Sequence, residues 1–131
     1  MSVHVPSPLR IGSFTPAAPV VLAPMAGVTN RAFRSMCRSY GPDLVYVNEM
    51  VMSHAVVYRN AKTEKMMEFG PDESPRSLQI YGSDPSMLGR AVHQVCDEGL
   101  VDHVDLNFGC PAAKVMRKGG GAAVPAKPRL L

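Results

Sequence analysis

The sequence predicts an α/β fold in which parallel strands are joined by helical crossovers. Three observations carry that prediction. Four short strand-like runs, at residues 20–23, 44–47, 78–81 and 104–107, are spaced along the chain. Between them lie stretches with apolar residues at helical spacing, among them Phe33, Met36, Cys37 and Tyr40, then Leu88, Ala91, Val92, Val95 and Cys96. The links are short and rich in Gly, Pro, Asn and Asp. Strands that alternate with amphipathic helices over short links pair in parallel, because the crossover helix must pack back onto the sheet.

Each element has its own signals. Residues 1–8 are rich in Pro and Ser and read as a frayed terminus. Residues 9–12 read as a short strand turning at Gly12. Val20, Val21, Leu22 and Ala23 form a continuous apolar run, as expected of a strand buried on both faces. It ends in Pro24, Met25, Ala26 and Gly27, after which Thr29 or Asn30 can cap the first helix. Gly41 and Pro42 stop that helix. Leu44 to Val47 form a second buried strand, closing at Asn48, Glu49 and Met50. Residues 52–69 read as helical in two pieces broken near Asn60, and residues 70–75 as a loop. The third strand, 78–81, leads through Gly82, Ser83 and Asp84 to Pro85, which suits the first position of a capped helix. Gly99 ends that helix, and the fourth strand follows at 104–107. Residues 110–131 show no clear periodic element.

Composition bounds the function classes. At 46% hydrophobic and 19% charged, the 131 residues are ordinary for one small soluble domain. No apolar run approaches the roughly 18 residues that span a bilayer, and the N-terminus lacks the charged and apolar regions of a signal peptide. The expectation is a cytoplasmic protein without membrane association. Cys37, Cys96 and Cys110 are then expected to stay reduced, and their spacing matches no zinc pattern, so no metal is expected. The net charge of +3 lies wholly in the last 31 residues, where Lys114, Arg117, Lys118, Lys127 and Arg129 face Asp102 and Asp105. Such a segment fits an anionic partner such as nucleic acid, or simply a solvated tail.

The stretch Asp105, Leu106, Asn107, Phe108, Gly109, Cys110 and Pro111 organises the chain. Alternation places Leu106 toward the helices and Asp105 and Asn107 on the other face. In the third strand, Leu78 and Ile80 face the helices and Gln79 does not. Glu49, Gln79 and Asn107 thus recur at or near strand C-termini, which is the active end of an α/β barrel. Cys110 lies just past such an end, between permissive Gly109 and rigid Pro111. By residue type alone it reads as a small buried hydrophobe, since free cysteines are usually buried.

Three segments resemble the tRNA-dihydrouridine synthase family, flavoproteins on a (β/α)8 barrel of the TIM type. Residues 23–30, beginning Ala23, Pro24, Met25 and Ala26, resemble its first strand and flavin-binding turn. Residues 77–82, with Gln79 at the centre, resemble its third strand. Residues 105–111, continuing through Lys114, Arg117, Lys118 and the glycines 119–121, resemble its catalytic segment. The similarity runs from about Leu9 to the last residue.

The resemblance implies FMN-dependent reduction of the uracil C5–C6 double bond in tRNA, with NADPH or NADH as reductant. It assigns Pro24, Met25, Ala26 and Gln79 to the flavin, and Cys110 to the proton delivered to C5. Asn107 is assigned to the uracil, and Lys114, Arg117 and Lys118 to the RNA. The chemistry suits these residue types. A glutamine carries a donor and an acceptor for the imide-like flavin edge. An ordinary cysteine, with a pKa of about 8.5, holds a proton at neutral pH. Basic side chains meet the RNA backbone by charge, and the target base must leave its stack.

A full barrel needs about 250 residues and eight strands. The resemblance therefore implies residues 1–131 to be the N-terminal part of the catalytic barrel. A later lysine and histidine, the phosphate-binding turns and a C-terminal helical tRNA-binding domain have no counterpart here. Expectations for the isolated chain are exposed sheet edges, marginal stability and weak FMN binding; the full-length protein is expected to be a monomer. Two other readings stay open: a dihydroorotate- or dihydropyrimidine-dehydrogenase-like barrel acting on a free base, and a non-catalytic remnant.

Overall fold

The computed structural model of the chain describes residues 8–130. The terminus expected to fray, residues 1–8, lies outside that range except for Pro8. Strands β1 (Val21–Leu22), β2 (Val45–Met52), β3 (Ser77–Tyr81) and β4 (His103–Leu106) form one sheet in the order β1-β2-β3-β4, every pair parallel. The crossovers are α1 (Arg31–Tyr40), the pair α2 (Ser53–Val57) and α3 (Ala61–Met66), and α4 (Pro85–Asp97). Consecutive parallel neighbours with helical crossovers follow the strand order of a (β/α)8 barrel, of which four strands are present among the described residues.

The core lies between the sheet and its helices. Leu78 and Ile80 of β3 and Val95 of α4 are fully buried, and Val51 of β2 and Val56 of α2 nearly so. Each such burial removes apolar surface from water at a gain of roughly 1.5–3 kcal/mol. Helix starts follow the expected chemistry. The side chain of Asn30 accepts from the Phe33 N–H, Asn60 caps α3 by accepting from the Thr63 N–H, and Asp84 caps α4 ahead of Pro85. The break near Asn60 is real: Arg59 takes a positive φ of 50° between the two short helices.

A bulge in β2 shapes the C-terminal end of the sheet. Asn48 pairs with Leu78, but the next pairing is Val51 with Ile80, so β2 carries one extra residue there. Before the bulge, Tyr46 and Asn48 bond to groups of the helical layer; after it, Val51 packs there. The extra residue lets both Glu49 and Met50 turn away from the helical layer, Glu49 to the Gly27 N–H and Met50 to the Asn107 amide.

Five expectations need correction. β1 covers two residues only, and Val20 and Val21 are 51% and 42% exposed rather than buried on both faces, because β1 is a sheet edge with one neighbour. Residues 9–12 form no strand; Ile11 makes a single antiparallel bridge to Phe14 around the turn at Gly12. The α1 stripe is covered only in part, with Phe33 and Cys37 half-buried and Met36 and Tyr40 exposed. The residue that α1 buries is Arg34. Helical spacing identifies an apolar face but not whether another element covers it. Cys96 is likewise exposed, on the outer flank of α4. Finally, residues 110–130 are not featureless: they contain α5 (Ala113–Met116) and two 3-10 turns, Gly121–Ala123 and Pro128–Leu130.

At the N-terminal end of the sheet, Arg76 clamps the entries of β3 and β4. Its guanidinium donates to both carboxylate oxygens of Asp102 and to the Gly99 carbonyl. These hydrogen bonds from Arg76 hold the Asp102 carboxyl below its ordinary pKa, against a smaller opposing effect of burial. A lowered folded-state pKa stabilises the fold above the unfolded value of about 3.9 and loses that contribution as pH falls through the folded value. Both side chains are partly solvated, so the effect is small. Melting temperatures of the wild type and Asp102→Asn should therefore differ modestly at neutral pH, start to approach each other below about pH 4, and converge once pH has fallen through the lowered Asp102 value.

Candidate active site at the C-terminal lip of the sheet

Past β1 the chain closes on itself through Thr29. Its Oγ1 accepts from the Met25 N–H at 3.0 Å and donates to the Met25 carbonyl at 3.1 Å. This leaves Met25 and Ala26 exposed at the lip with Pro24 half-buried behind them. Gly27 has φ 77°, a left-handed conformation that a side chain resists. Its N–H donates to Glu49 Oε2 at 2.7 Å, so the β2 bulge residue ties the first turn to the rest of the lip.

At β3 and β4 a chain of side chains runs across the sheet. Gln79 Nε2 donates to Asp105 Oδ2 at 2.5 Å, and Asn107 Nδ2 donates to Gln79 Oε1 at 2.7 Å. The second Asn107 amide hydrogen faces the Met50 sulfur at 3.5 Å. Asn107 Oδ1 accepts from the backbone N–H groups of Gly109 and Cys110, at 3.2 and 2.9 Å. Asn107 thus fixes the turn that carries Cys110. The expected alternation holds: Gln79, Asp105 and Asn107 share one face, while Leu78 and Ile80 pack on the helices.

Cys110 is half-buried at the lip and not in the packed core. Its carbonyl accepts from the Ala122 N–H at 3.0 Å, so the glycine-rich segment folds back over it. The fit requires glycine at 121, where φ is 57° and a Cβ would stand 2.5 Å from the Cys110 carbonyl oxygen. Tyr81 is a neighbour that sequence reading passed over. Burial raises its phenol pKa, and proximity to the Cys110 thiol, negative when ionised, raises it further. Lys114, Arg117 and Lys118 lie exposed on and just after α5, and Lys118 lines a cleft of about 250 Å³ with Met52, His54, Tyr81 and Gly120. A larger cleft of about 610 Å³, lined by Val56, Met67, Phe69 and Leu100, holds none of the residues expected at the site.

The structure therefore brings Gln79, Asn107 and Cys110 together by direct hydrogen bonds or a shared turn, and joins the 24–27 turn to the same lip through Glu49. Lys114, Arg117 and Lys118 are exposed on and after α5, and of the three Lys118 shares a cleft with Tyr81 and Gly120. Sequence reading placed Glu49 at the active end and Asp105 on the face of Asn107 without giving either a specific task, and it passed over Met50. The signal for Asp105 was present, since it lies two residues before Asn107 and hence on the same face. Among the described residues no group of His, Cys, Asp or Glu is placed to hold a metal ion, and no helix is long and apolar enough to cross a membrane.

A parallel strand–helix arc with its polar side chains gathered at the C-terminal lip is the layout of an α/β barrel's active face. A sequence model of the dihydrouridine synthase (Dus) family matches residues 21–131. The chain is 53% identical over 132 residues to a "Probable tRNA-dihydrouridine synthase" of Mycobacterium tuberculosis, covering 95% of this chain and 34% of that protein. It is 42% identical over 118 residues to "tRNA-dihydrouridine synthase B" of Pseudomonas aeruginosa, covering 90% and 35%. The chain belongs to the dihydrouridine synthase family, and it spans about a third of the length of these relatives.

Proposed function

We propose that this chain supplies the flavin-facing and uracil-facing part of an FMN-dependent tRNA-dihydrouridine synthase, with Cys110 delivering the proton. The observation that carries the reading is the hydrogen-bonded run from Gln79 through Asn107 to the Cys110 backbone at the barrel lip.

The residues present fit the ring of a flavin. After bonding Asp105 and Asn107, Gln79 keeps one amide hydrogen and one carbonyl lone pair, the complementary pair that an imide-like edge needs. Ala26 and Gly27 are exposed, with nothing within 4 Å of where a Gly27 Cβ would stand, so a planar ring can approach the backbone. Pro24, Met25 and Ala26 would meet the ring edge. A bound reduced flavin would supply the hydride, drawn from NADPH or NADH.

The other parts are this chain's own. Cys110 would hold a proton at its Sγ on the base face away from the flavin. Asn107 would trade its contact with Met50 sulfur, a weak acceptor, for a uracil carbonyl. Lys114, Arg117 and Lys118 would hold the RNA phosphates around the extruded base, which favours tRNA over a free base.

The test is a chimera in which residues 21–131 replace the aligned segment of the Mycobacterium tuberculosis relative. Expressed in a strain whose tRNA lacks dihydrouridine, it should restore the modified base, read by mass spectrometry of tRNA digests, and should purify with flavin absorbance. A folded, flavin-loaded chimera that leaves tRNA unmodified would overturn the proposal.

A further inference from the structure

Asp105 sits at the head of the run that ends at Cys110, and a carboxylate differs from every other member in one respect. It accepts hydrogen bonds and donates none. Gln79 can therefore present only its NH2 to Asp105, at 2.5 Å, and must turn its carbonyl oxygen away. That oxygen, 2.7 Å from Asn107, can meet only the Asn107 NH2. Asn107 in turn must aim its own oxygen at the N–H groups of Gly109 and Cys110. Two amides that could each adopt either of two flips are thus held in one, Gln79 by the Asp105 carboxylate and Asn107 by Gln79 together with the Gly109 and Cys110 N–H groups. If Gln79 flipped, its NH2 would oppose the Asn107 NH2; if Asn107 flipped with it, a donor would face two backbone donors and the Cys110 turn would lose both bonds.

We propose that Asp105 is a positioning residue: its carboxylate sets the polarity of the Gln79–Asn107 amide run and thereby holds the Cys110 turn at the lip of β4. The proposal rests on the reading of Cys110 as the proton donor for its functional meaning, but its geometry can be tested without turnover.

The test follows the alkylation rate of Cys110 by iodoacetamide in the full chain, read by peptide mass spectrometry so that Cys37 and Cys96 are resolved separately. Circular dichroism confirms that each variant is folded. Asp105→Ala should speed alkylation of Cys110 by about tenfold, the scale of losing one charge-assisted hydrogen bond, and leave Cys96 unchanged. Gln79→Glu sets two carboxylates in contact, and their repulsion, by pushing the side chain at 79 off Asn107, should do the same. The pair Gln79→Glu with Asp105→Asn removes that repulsion and keeps the polarity: the new amide donates to the new carboxylate, which still accepts from Asn107. That double variant should return the Cys110 rate to within about twofold of wild type. A purely structural role for Asp105 predicts no such rescue. A double variant no slower than Gln79→Glu alone, or an unchanged rate in Asp105→Ala, would overturn the proposal. Failure of the proton-donor reading would show instead as undiminished dihydrouridine formation by the Cys110→Ala chimera, an independent result.

Discussion

Cys110→Ala in the chimera is expected to lower dihydrouridine formation by about 10²- to 10⁴-fold, the range that a positioned general acid contributes. Flavin content should not fall, because the proposed function puts Cys110 on the substrate side and the ring against Gln79 and the 24–27 turn. The fold should not suffer either, because the turn is held by main-chain groups of Cys110 that alanine retains: its N–H donates to Asn107 and its carbonyl accepts from Ala122. Single-turnover reoxidation of the reduced flavin by tRNA separates the two contributions. Loss of rate with unchanged tRNA affinity places Cys110 in the chemical step. A variant that reacts within about threefold of wild type would show that the proton comes from elsewhere, and Tyr81 is the neighbour to replace next.

Replacing Arg34 by alanine should cost about 3–5 kcal/mol of stability, as expected when one partner of a buried ion pair is removed. Arg34 is 1% exposed and uses all five of its N–H groups. Two go to the Glu73 carboxylate at 2.7 and 2.9 Å, one to Asn48 Oδ1 at 2.7 Å, and two to the carbonyls of Thr29 and Glu68. The Phe69 ring lies 5.2 Å from the guanidinium carbon. Alanine would strand the Glu73 carboxylate, its side chain 1% exposed, with the Gly70 N–H as its one remaining hydrogen-bond donor among the described residues. Against a typical domain stability of about 5–15 kcal/mol, that loss is large. The double variant Arg34→Met with Glu73→Leu should recover much of it, because no buried charge is then left alone. Urea unfolding of the three proteins checks both statements; an Arg34→Ala loss under about 1 kcal/mol would contradict them.

This ion pair also shows what the sequence could not convey. The strands, the crossover helices and the caps Asn30 and Asp84 were legible, because each rests on local signals, apolar runs, helical spacing and capping residue types; Asn60 was legible as a break but not as the cap of α3. The lip residues were legible from period-two alternation and from the motif around Cys110. Arg34 and Glu73 are 39 positions apart, and each alone reads as a surface charge. Only the tertiary arrangement, with α1 over β2 and the 70–75 loop folded beneath, makes them partners. The exposure of Val20, Val21, Met36 and Tyr40 was hidden for the same reason. Their patterning says apolar, but cover is decided by what lies alongside. The short α5 was missed because four residues hold little more than one helical turn, too few for periodicity to show.

The extra residue in β2 constrains how this region can vary between relatives. Met50 can be exchanged there at less cost than Glu49, but chain length cannot change. Deleting one position between Asn48 and Val51 would bring the two strands back into step, swing one of Glu49 and Met50 into the helical layer, and release the first turn from its Glu49 anchor. Sequences in this lineage should therefore tolerate exchange at these positions far more readily than a single-residue gap.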